Sequence, residues 1–277
     1  MISVVGIGDN TVDRYVDQGI MYPGGNTVNM AIHTSRLGHS SAYIGCLAED
    51  EAGMLIHGSL VKEGVDVSYC RLLGGENAFC DIRLVDGDRV FGEFNAGVCD
   101  QLIINEKDLA FLSAFDLVHT SVYSFMDPFL ESLQSNTRFL SYDYSNEWNR
   151  DSLEETLHRV DFALISNPVE DIRDNADLLK WAAGQGPRLV IATSGDQGAA
   201  VYDGKRMYFQ PILPAGEIVD TLGAGDAFAA RFLTGYLEGE PIQKALESAS
   251  RYAAETCHHY GAFGHGIIYQ NLAEEEN

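Results

Sequence analysis

The chain has 277 residues, of which 45% are hydrophobic and 21% charged, with 18 Lys and Arg against 41 Asp and Glu for a formal net charge of −23. That length fits one large α/β domain or two small ones, and the composition excludes a disordered chain. So acidic a surface repels phosphate backbones and anionic lipid, which sets aside nucleic acid and membranes as partners, yet backbone N–H groups at a helix start can still hold a nucleotide.

In chain order, residues 2–7 read as a buried strand and 11–22 as an extended stretch with no helical period. A helix is predicted over 26–37, stopping at Gly38, followed by a strand over 41–46. Asp50 fits the cap of a helix that runs to about Lys62, before Gly64. Residues 77–95 read as a β-hairpin, with Phe79, Ile82 and Leu84 on one side of the turn Val85-Asp86-Gly87-Asp88 and Val90, Phe91 and Phe94 on the other. Strands over 117–120, 138–142, 162–166 and 189–193 then alternate with helical stretches near 106–113, 127–135, 151–158 and 170–183. A strand-like 217–219 precedes a last helix with Phe228, Phe232, Leu233, Tyr236 and Leu237 on one stripe, and the tail, 264–277, reads as acidic and frayed. This βαβα rhythm predicts an α/β fold: one domain over 1–277, a mostly parallel sheet and helices on both faces. The extended segments 11–22 and 77–96 break the rhythm and are expected to form a small β lid over one edge of the sheet.

The five cysteines, Cys46, Cys70, Cys80, Cys99 and Cys257, form no Cys-x-x-Cys pair and read as free thiols of a reducing compartment. The N-terminus has no basic n-region or cleavage site, and its apolar run is only a strand long, so a cytoplasmic protein is expected.

Asp220-Thr221-Leu222-Gly223-Ala224-Gly225-Asp226 carries the sharpest chemistry. Gly223, Ala224 and Gly225 let the backbone approach a ligand at a helix start, where unpaired N–H groups favour an anion such as a phosphoryl group in transit. Asp226 can accept the proton of an attacking hydroxyl there, although it also fits a plain N-cap after a glycine turn. In Gly24-Gly25-Asn26-Thr27-Val28-Asn29, paired glycines precede a helix, and Asn26 and Asn29 share one face. Their amides suit sugar hydroxyls, or Asn26 simply caps the helix. Asp9 and Asp13 follow the first strand, where doubly wound sheets bind ligands; each can take two sugar hydroxyls or be a solvated loop acid. After later strands come Asn167-Pro168-Val169-Glu170, whose Glu170 could hold a water of Mg²⁺, and Thr193-Ser194-Gly195-Asp196-Gln197-Gly198, which could meet a nucleotide; both also read as ordinary turns. A Rossmann dehydrogenase fits poorly, because the Gly6-Ile7-Gly8 run lacks the third glycine and a following helix; no P-loop motif occurs.

Taken together and in this order, from Gly8 to about Gly261, these segments resemble the ribokinase-like (PfkB) carbohydrate kinases. The resemblance implies a doubly wound fold with a β-sheet lid, ATP and Mg²⁺ as cofactors and transfer of the γ-phosphoryl group to a sugar hydroxyl. It implies Asp226 as catalytic base, with Gly223, Ala224 and Gly225 as anion hole, and Asp13, Gly25 and Asn29 at the sugar, beside Asp9, Gly24 and Asn26. Asn167 and Glu170 would lie near Mg²⁺ and phosphate, and Thr193, Gly195 and Gly198 at the nucleotide. Asp220 matches a monovalent-cation (K⁺) ligand of some members, and in several members two lids pair into a homodimer. Within the family, Gly8-Asp9-Asn10 with Asp13, Asp88-Arg89-Val90-Phe91-Gly92 and Tyr142-Asp143-Tyr144-Ser145 resemble the branch that phosphorylates the 6-hydroxyl of fructoselysine. The alternatives are another ketose, a deoxy-sugar acid, a nucleoside, or a sugar sensor without catalysis. Gly45-Cys46-Leu47-Ala48-Glu49-Asp50 departs from the Gly-x-Val-Gly-x-Asp of many members. The acids Glu76, Asp81, Asp86, Asp88 and Glu93 of the lid region would suit a cationic aglycone, or merely solvate an edge hairpin.

Overall fold

The computed structural model describes residues 1–85 and 88–269; Asp86 and Gly87 of the expected hairpin turn, and 270–277 of the expected tail, lie outside them. The chain opens with β1 (Ser3–Ile7), β2 (Thr11–Tyr15), β3 (Ile20–Gly24), α1 (Asn26–Arg36), β4 (Ser40–Ile44), β5 (Cys46–Ala48) and α2 (Glu51–Lys62). It continues through β6 (Arg71–Leu73), β7 (Phe79–Val85), β8 (Asp88–Asn95), α3 (Glu106–Leu112), β9 (Leu117–Ser121), α4 (Leu130–Asn136), β10 (Leu140–Asp143) and α5 (Arg150–Thr156). It ends with β11 (Phe162–Ser166), α6 (Ala176–Ala183), β12 (Leu189–Thr193), β13 (Ala199–Tyr202), β14 (Met207–Gln210), α7 (Ala224–Leu237), α8 (Ile242–Thr256) and β15 (Ile267–Ile268).

An eight-stranded sheet runs β14-β13-β12-β11-β10-β9-β1-β4, parallel from β12 to β4 and antiparallel at β13 and β14. Alternation along each strand feeds two cores. On β12, Val190 and Ala192 pack with Leu153, Leu178 and Leu179 of α5 and α6, whereas Leu189 and Ile191 pack with Phe228, Phe232 and Leu246 of α7 and α8. The segments expected to form the lid fall in a second sheet, β15-β3-β2-β7-β8. Its inner face meets α1 and α2 through Val12, Met21, Val28, Ile32 and Ile56.

The expected strand at 217–219 does not form. Ile218 and Val219 are 56% and 40% exposed, and the N–H groups of Val219 and Asp220 bond the carbonyl of Cys257 at 2.9 and 3.2 Å. The apolar residues there have no strand to pair with, because the C-terminal end of α8 occupies the place. The strand expected over 41–46 divides into β4 and β5, and the helices near 127–135 and 170–183 each begin as a 3₁₀ turn. β6, β13, β14, α8 and β15 were not anticipated.

Gly6 sets how closely α1 lies on β1: a Cβ there would stand 2.2 Å from the carbonyl oxygen of Thr27. Gly6→Ala should therefore force α1 outward and destabilise the fold by about 1–3 kcal/mol, read as a lower denaturant midpoint in chemical unfolding.

Candidate active site

The parallel strands all end at one sheet edge, and ligands of doubly wound folds bind beyond that edge. A cavity of about 470 Å³ opens there. It is lined by the loop after β1, the lid strands, the start of α1, the turns after β9 and β10, and the start of α7. Asp9, Asp13, Gly25, Asn26, Asn29, Gly223 and Asp226 all line it.

One hydrogen-bonded chain organises its floor. Burial drops the pKa of His119 to about 3, so the ring is neutral and carries one N–H. His119 Nε2 lies 2.7 Å from Asn26 Oδ1, which can only accept, and His119 Nδ1 lies 2.8 Å from Ser141 Oγ. The proton therefore sits on Nε2, and Ser141 donates to Nδ1. With its oxygen taken, Asn26 must point its amide hydrogens the other way. Nδ2 donates to Asp143 Oδ2 at 2.9 Å and to Asp226 Oδ1 at 2.8 Å. Asn29 Nδ2 donates to the second oxygen of Asp226 at 2.6 Å. Burial, and then the nearby charge of Asp143, raise the Asp226 carboxyl well above the ordinary range; burial also raises Asp143. A carboxyl so raised is a stronger base once ionised.

Asp9 is placed differently from the expectation of a sugar ligand. Gly25, the N-cap of α1, has φ 107 and offers no side chain, so Asp9 caps that helix from the preceding loop. Asp9 Oδ2 accepts from the N–H of Asn26 at 2.5 Å, and Oδ1 accepts from the N–H of Thr27 at 3.4 Å and the hydroxyls of Ser121 and Ser124 at 2.8 and 2.7 Å. Three of these four donors converge on Oδ1 and one on Oδ2, and burial raises its pKa. Asp13 lies against Gly24, where a Cβ would come 2.5 Å from Asp13 Oδ2; glycine at 24 thus makes room for the carboxylate at the cavity wall.

α7 starts at Gly223, whose φ of 74 demands glycine and whose Cβ would strike Ala262 at 2.3 Å. Ala224 N–H bonds the carbonyl of Thr221 at 3.3 Å. A Cβ at Gly225 would meet no atom within 4 Å, so the space over the first turn of α7 is open. That opening, at the positive end of a 14-residue helix and beside Asp226, suits an anion. Asp220, expected as a K⁺ ligand, is engaged within the protein. One of its oxygens accepts from the hydroxyl of Tyr15 and from Gly261 N–H at 3.0 Å, and the other accepts from Leu222 N–H at 3.0 Å. These bonds tie the lid strand β2 and the segment after α8 to the loop that precedes α7.

The residues expected at the nucleotide lie apart from this cavity, at the ends of β11 and β12. Asn167 N–H bonds the carbonyl of Thr193 at 2.9 Å, and Asn167 Nδ2 donates to Asn175 at 2.7 Å. Ser194 Oγ donates to the carbonyl of Asn167 at 2.6 Å, fastening the two loops together. Gly195, at φ 52, has open space where a side chain would be, whereas a Cβ at Gly198 would stand 2.1 Å from the carbonyl oxygen of Gln210. Glu170 is exposed at a bend before the helical segment rather than on it.

Sequence reasoning assigned no role to His119, and it used Asp143 only as part of a string. No local spacing links these residues to Asn26; parallel pairing of β1, β9 and β10 brings them together. Asn10 was likewise passed over. Its amide donates to Tyr43 Oη at 3.1 Å and the carbonyl of Cys46 at 2.8 Å, fixing the unusual 45–50 loop behind the cavity.

A carboxylate beside the open first turn of a helix, on a doubly wound sheet with a β lid, is the arrangement expected of a phosphoryl-transfer enzyme of the ribokinase-like class. The sequence matches the pfkB family of carbohydrate kinases over residues 1–264, and the chain belongs to that family. It is 41% identical over 273 residues to the fructosamine kinase FrlD of Bacillus subtilis (strain 168), covering 97% of this chain and 95% of that one. It is 31% identical to the fructoselysine 6-kinase of Escherichia coli (strain K12), covering 95% and 100%. Its fold superposes with a TM-score of 0.81, at 21% identity and covering 95% and 94% of the two chains, on the structure of Arabidopsis thaliana ribokinase complexed with ribose and ATP.

A base must be ionised to act, so activity is present above its pKa and lost as pH falls through it. The raised Asp226 predicts an ascending limb of kcat/KM above the ordinary carboxylate value of about 4. Asp143→Asn removes a neighbouring negative charge and should move that limb to lower pH in a pH–rate profile. Asp226→Asn should raise Tm by about 2–4 °C in calorimetry. It removes a half-buried charge crowded by Asp143, and Asn29 can turn its unpartnered Oδ1 toward the new amide.

Proposed function

We propose that this carbohydrate kinase transfers the γ-phosphoryl group of ATP to the 6-hydroxyl of fructoselysine or a closely related fructosamine. The observation that carries the reading is Asp226, oriented by Asn26 and Asn29 beside the open first turn of α7 and facing the same cavity as Asp13. The similarity to fructosamine and fructoselysine kinases along nearly the whole chain supports the acceptor.

In this reading Asp13, Asn29 and the backbone at Gly25 hold the sugar. Asp226 takes the proton of the attacking hydroxyl, and Asn26 and Asn29 hold its two oxygens in line with that hydroxyl. The amides at Gly223, Ala224 and Gly225 receive the charge of the migrating phosphoryl group. Thr193, Gly195 and Gly198 contact the nucleotide. Glu170, exposed near Asn167, fits a Mg²⁺ ion that keeps most of its waters; when bound, the ion neutralises phosphate charge. Asp9 acts as a positioning residue that holds α1, and with it Asn26.

β8 is the free edge of the lid sheet, and pairing of two such edges is the assembly we propose; light scattering that gives one chain's mass of 30.3 kDa would count against it. We place the enzyme in the cytoplasm, where ATP is available. No helix among the described residues is long and apolar enough to cross a membrane.

The test is ADP release across fructoselysine, fructose, ribose, nucleosides and deoxy-sugar acids, with Mg²⁺ and with EDTA. Fructoselysine should be turned over best, and Asp226→Asn should lower kcat by roughly 10²–10⁴-fold. Wild-type turnover in that variant sinks the assignment of the base; preference for a nucleoside sinks the assignment of the acceptor.

A further inference from the structure

The outer rim of the cavity carries features that phosphoryl transfer does not require. Phe91 and Phe94 of β8 line it together with Tyr123 and Phe125 from the turn after β9. They are 61%, 61%, 41% and 47% exposed, a large apolar surface to leave facing water around one opening.

Local irregularities put them there. Along the β7–β8 pair, Cys80 stands opposite Phe94 and Ile82 opposite Phe91, so Asp81 alone faces the two residues Gly92 and Glu93. The extra residue is a β-bulge. It turns both phenylalanines to one face, whereas unbroken alternation would send them to opposite faces. Phe125 adopts a left-handed backbone at φ 57, and Ser145 does so at φ 49. Tyr123 Oη donates to Ser145 Oγ at 3.1 Å, joining the two strained turns across the rim. A bulge and two left-handed side-chain-bearing residues each carry a steric cost, and all of them shape the same opening.

The charge around the opening has one sign. Asp9, Asp13, Asp226 and Glu147 line the cavity, and no Lys or Arg does among the described residues. Glu147 lies near Tyr123, whose pKa is raised by burial and, more weakly, by the Glu147 charge. Of the lid acids expected to meet an amine, the described ones, Glu76, Asp81 and Glu93, are not among the residues that line the cavity. Asp81 is bound to Arg14 at 2.6 Å, Glu76 accepts from Asn95 at 2.9 Å, and neither lines the cavity. The side chains of Asp86 and Asp88 lie outside the described residues.

We propose that this rim is a subsite for the part of the substrate beyond the sugar, and that it selects a positively charged amine carried on an apolar chain. The inference rests on the sugar position proposed above. Aromatic faces attract an ammonium group and pack against methylenes, and the base-free acidic opening concentrates cations and repels anions. Phe91, Phe94, Tyr123, Phe125 and Glu147 are the residues that carry it.

The test compares kcat/KM of the purified protein for fructose, for a 1-(alkylamino)-1-deoxyfructose and for its uncharged 1-O-alkyl analogue of equal length. The amine should be preferred over the ether by roughly tenfold, with the difference in KM and shrinking as salt is added. In Phe94→Ala and Glu147→Gln the amine-to-ether ratio should fall by about three- to tenfold. Equal use of amine and ether by the wild type, or an unchanged ratio in both variants whatever their absolute rates, overturns the subsite. Asp226→Asn distinguishes the two readings: turnover surviving in that variant removes the base and the sugar site, whereas a selectivity that fails while Asp226→Asn is inactive removes the rim alone.

Discussion

The site depends on which way one carboxamide points. Asn26 has one acceptor and two donor hydrogens, and a neutral histidine on β9 claims the acceptor. Both hydrogens are then committed to acids, and two carboxylates that would otherwise repel each other share one nitrogen. Removing a partner from buried charges of this kind is far more costly than the pair is beneficial, which makes the arrangement brittle. Its foundation is Asp9, which holds the first turn of α1 and so the backbone of Asn26 itself. β1, α1, β9, β10 and α7 thereby meet at one amide, and no single element could supply the geometry.

The acidity of the cavity sets a second constraint. Carboxylates suit sugar hydroxyls and a proton acceptor, but they oppose an incoming polyphosphate. Lys and Arg are absent from the described lining, so within this cavity the favourable potential for a phosphoryl group comes from backbone dipoles. The open space at Gly225 is where the fold exposes such dipoles, while Gly223 fixes the turn that aims them. The division of labour follows the sheet: β1, β9 and β10 end at the acidic half, and β11 and β12 end at the half without it.

Much of this was legible in the sequence because it is local. The helix from Asp50 to Lys62, the strands at 162–166 and 189–193, and the two glycine-bearing motifs are written in contiguous residues, and the structure places them where the pattern does. What escaped was of two kinds. β13 and β14 are short strands, β14 at the sheet edge, joined by an Asp203-Gly204 turn that carries no weight in the strand pattern; Asp203 Oδ1 accepts from the N–H groups of Lys205 and Arg206 at 2.8 and 2.6 Å. The roles of Asp9, His119, Asp143 and Asp220 depend on residues about 17 to 205 positions away, from Asn26 for Asp9 to Tyr15 for Asp220, and no periodicity reports that. Residues 217–219 show the converse error: Ile218 and Val219 have strand character, yet with the end of α8 in the way they pair with no strand.

The hydroxyl of Tyr15 reaches from the lid to Asp220, three residues before the glycine that starts α7. On the proposed reading, the surfaces for sugar and phosphate are thus joined through one buried contact and are not independent walls. On that reading, a change in the tilt of β2 on sugar binding would reach the turn before α7 through this contact, and a phosphate bound at that turn would act back on β2 with equal thermodynamic weight. The two ligands are therefore expected to bind with reciprocal coupling, each changing the affinity of the other by the same factor.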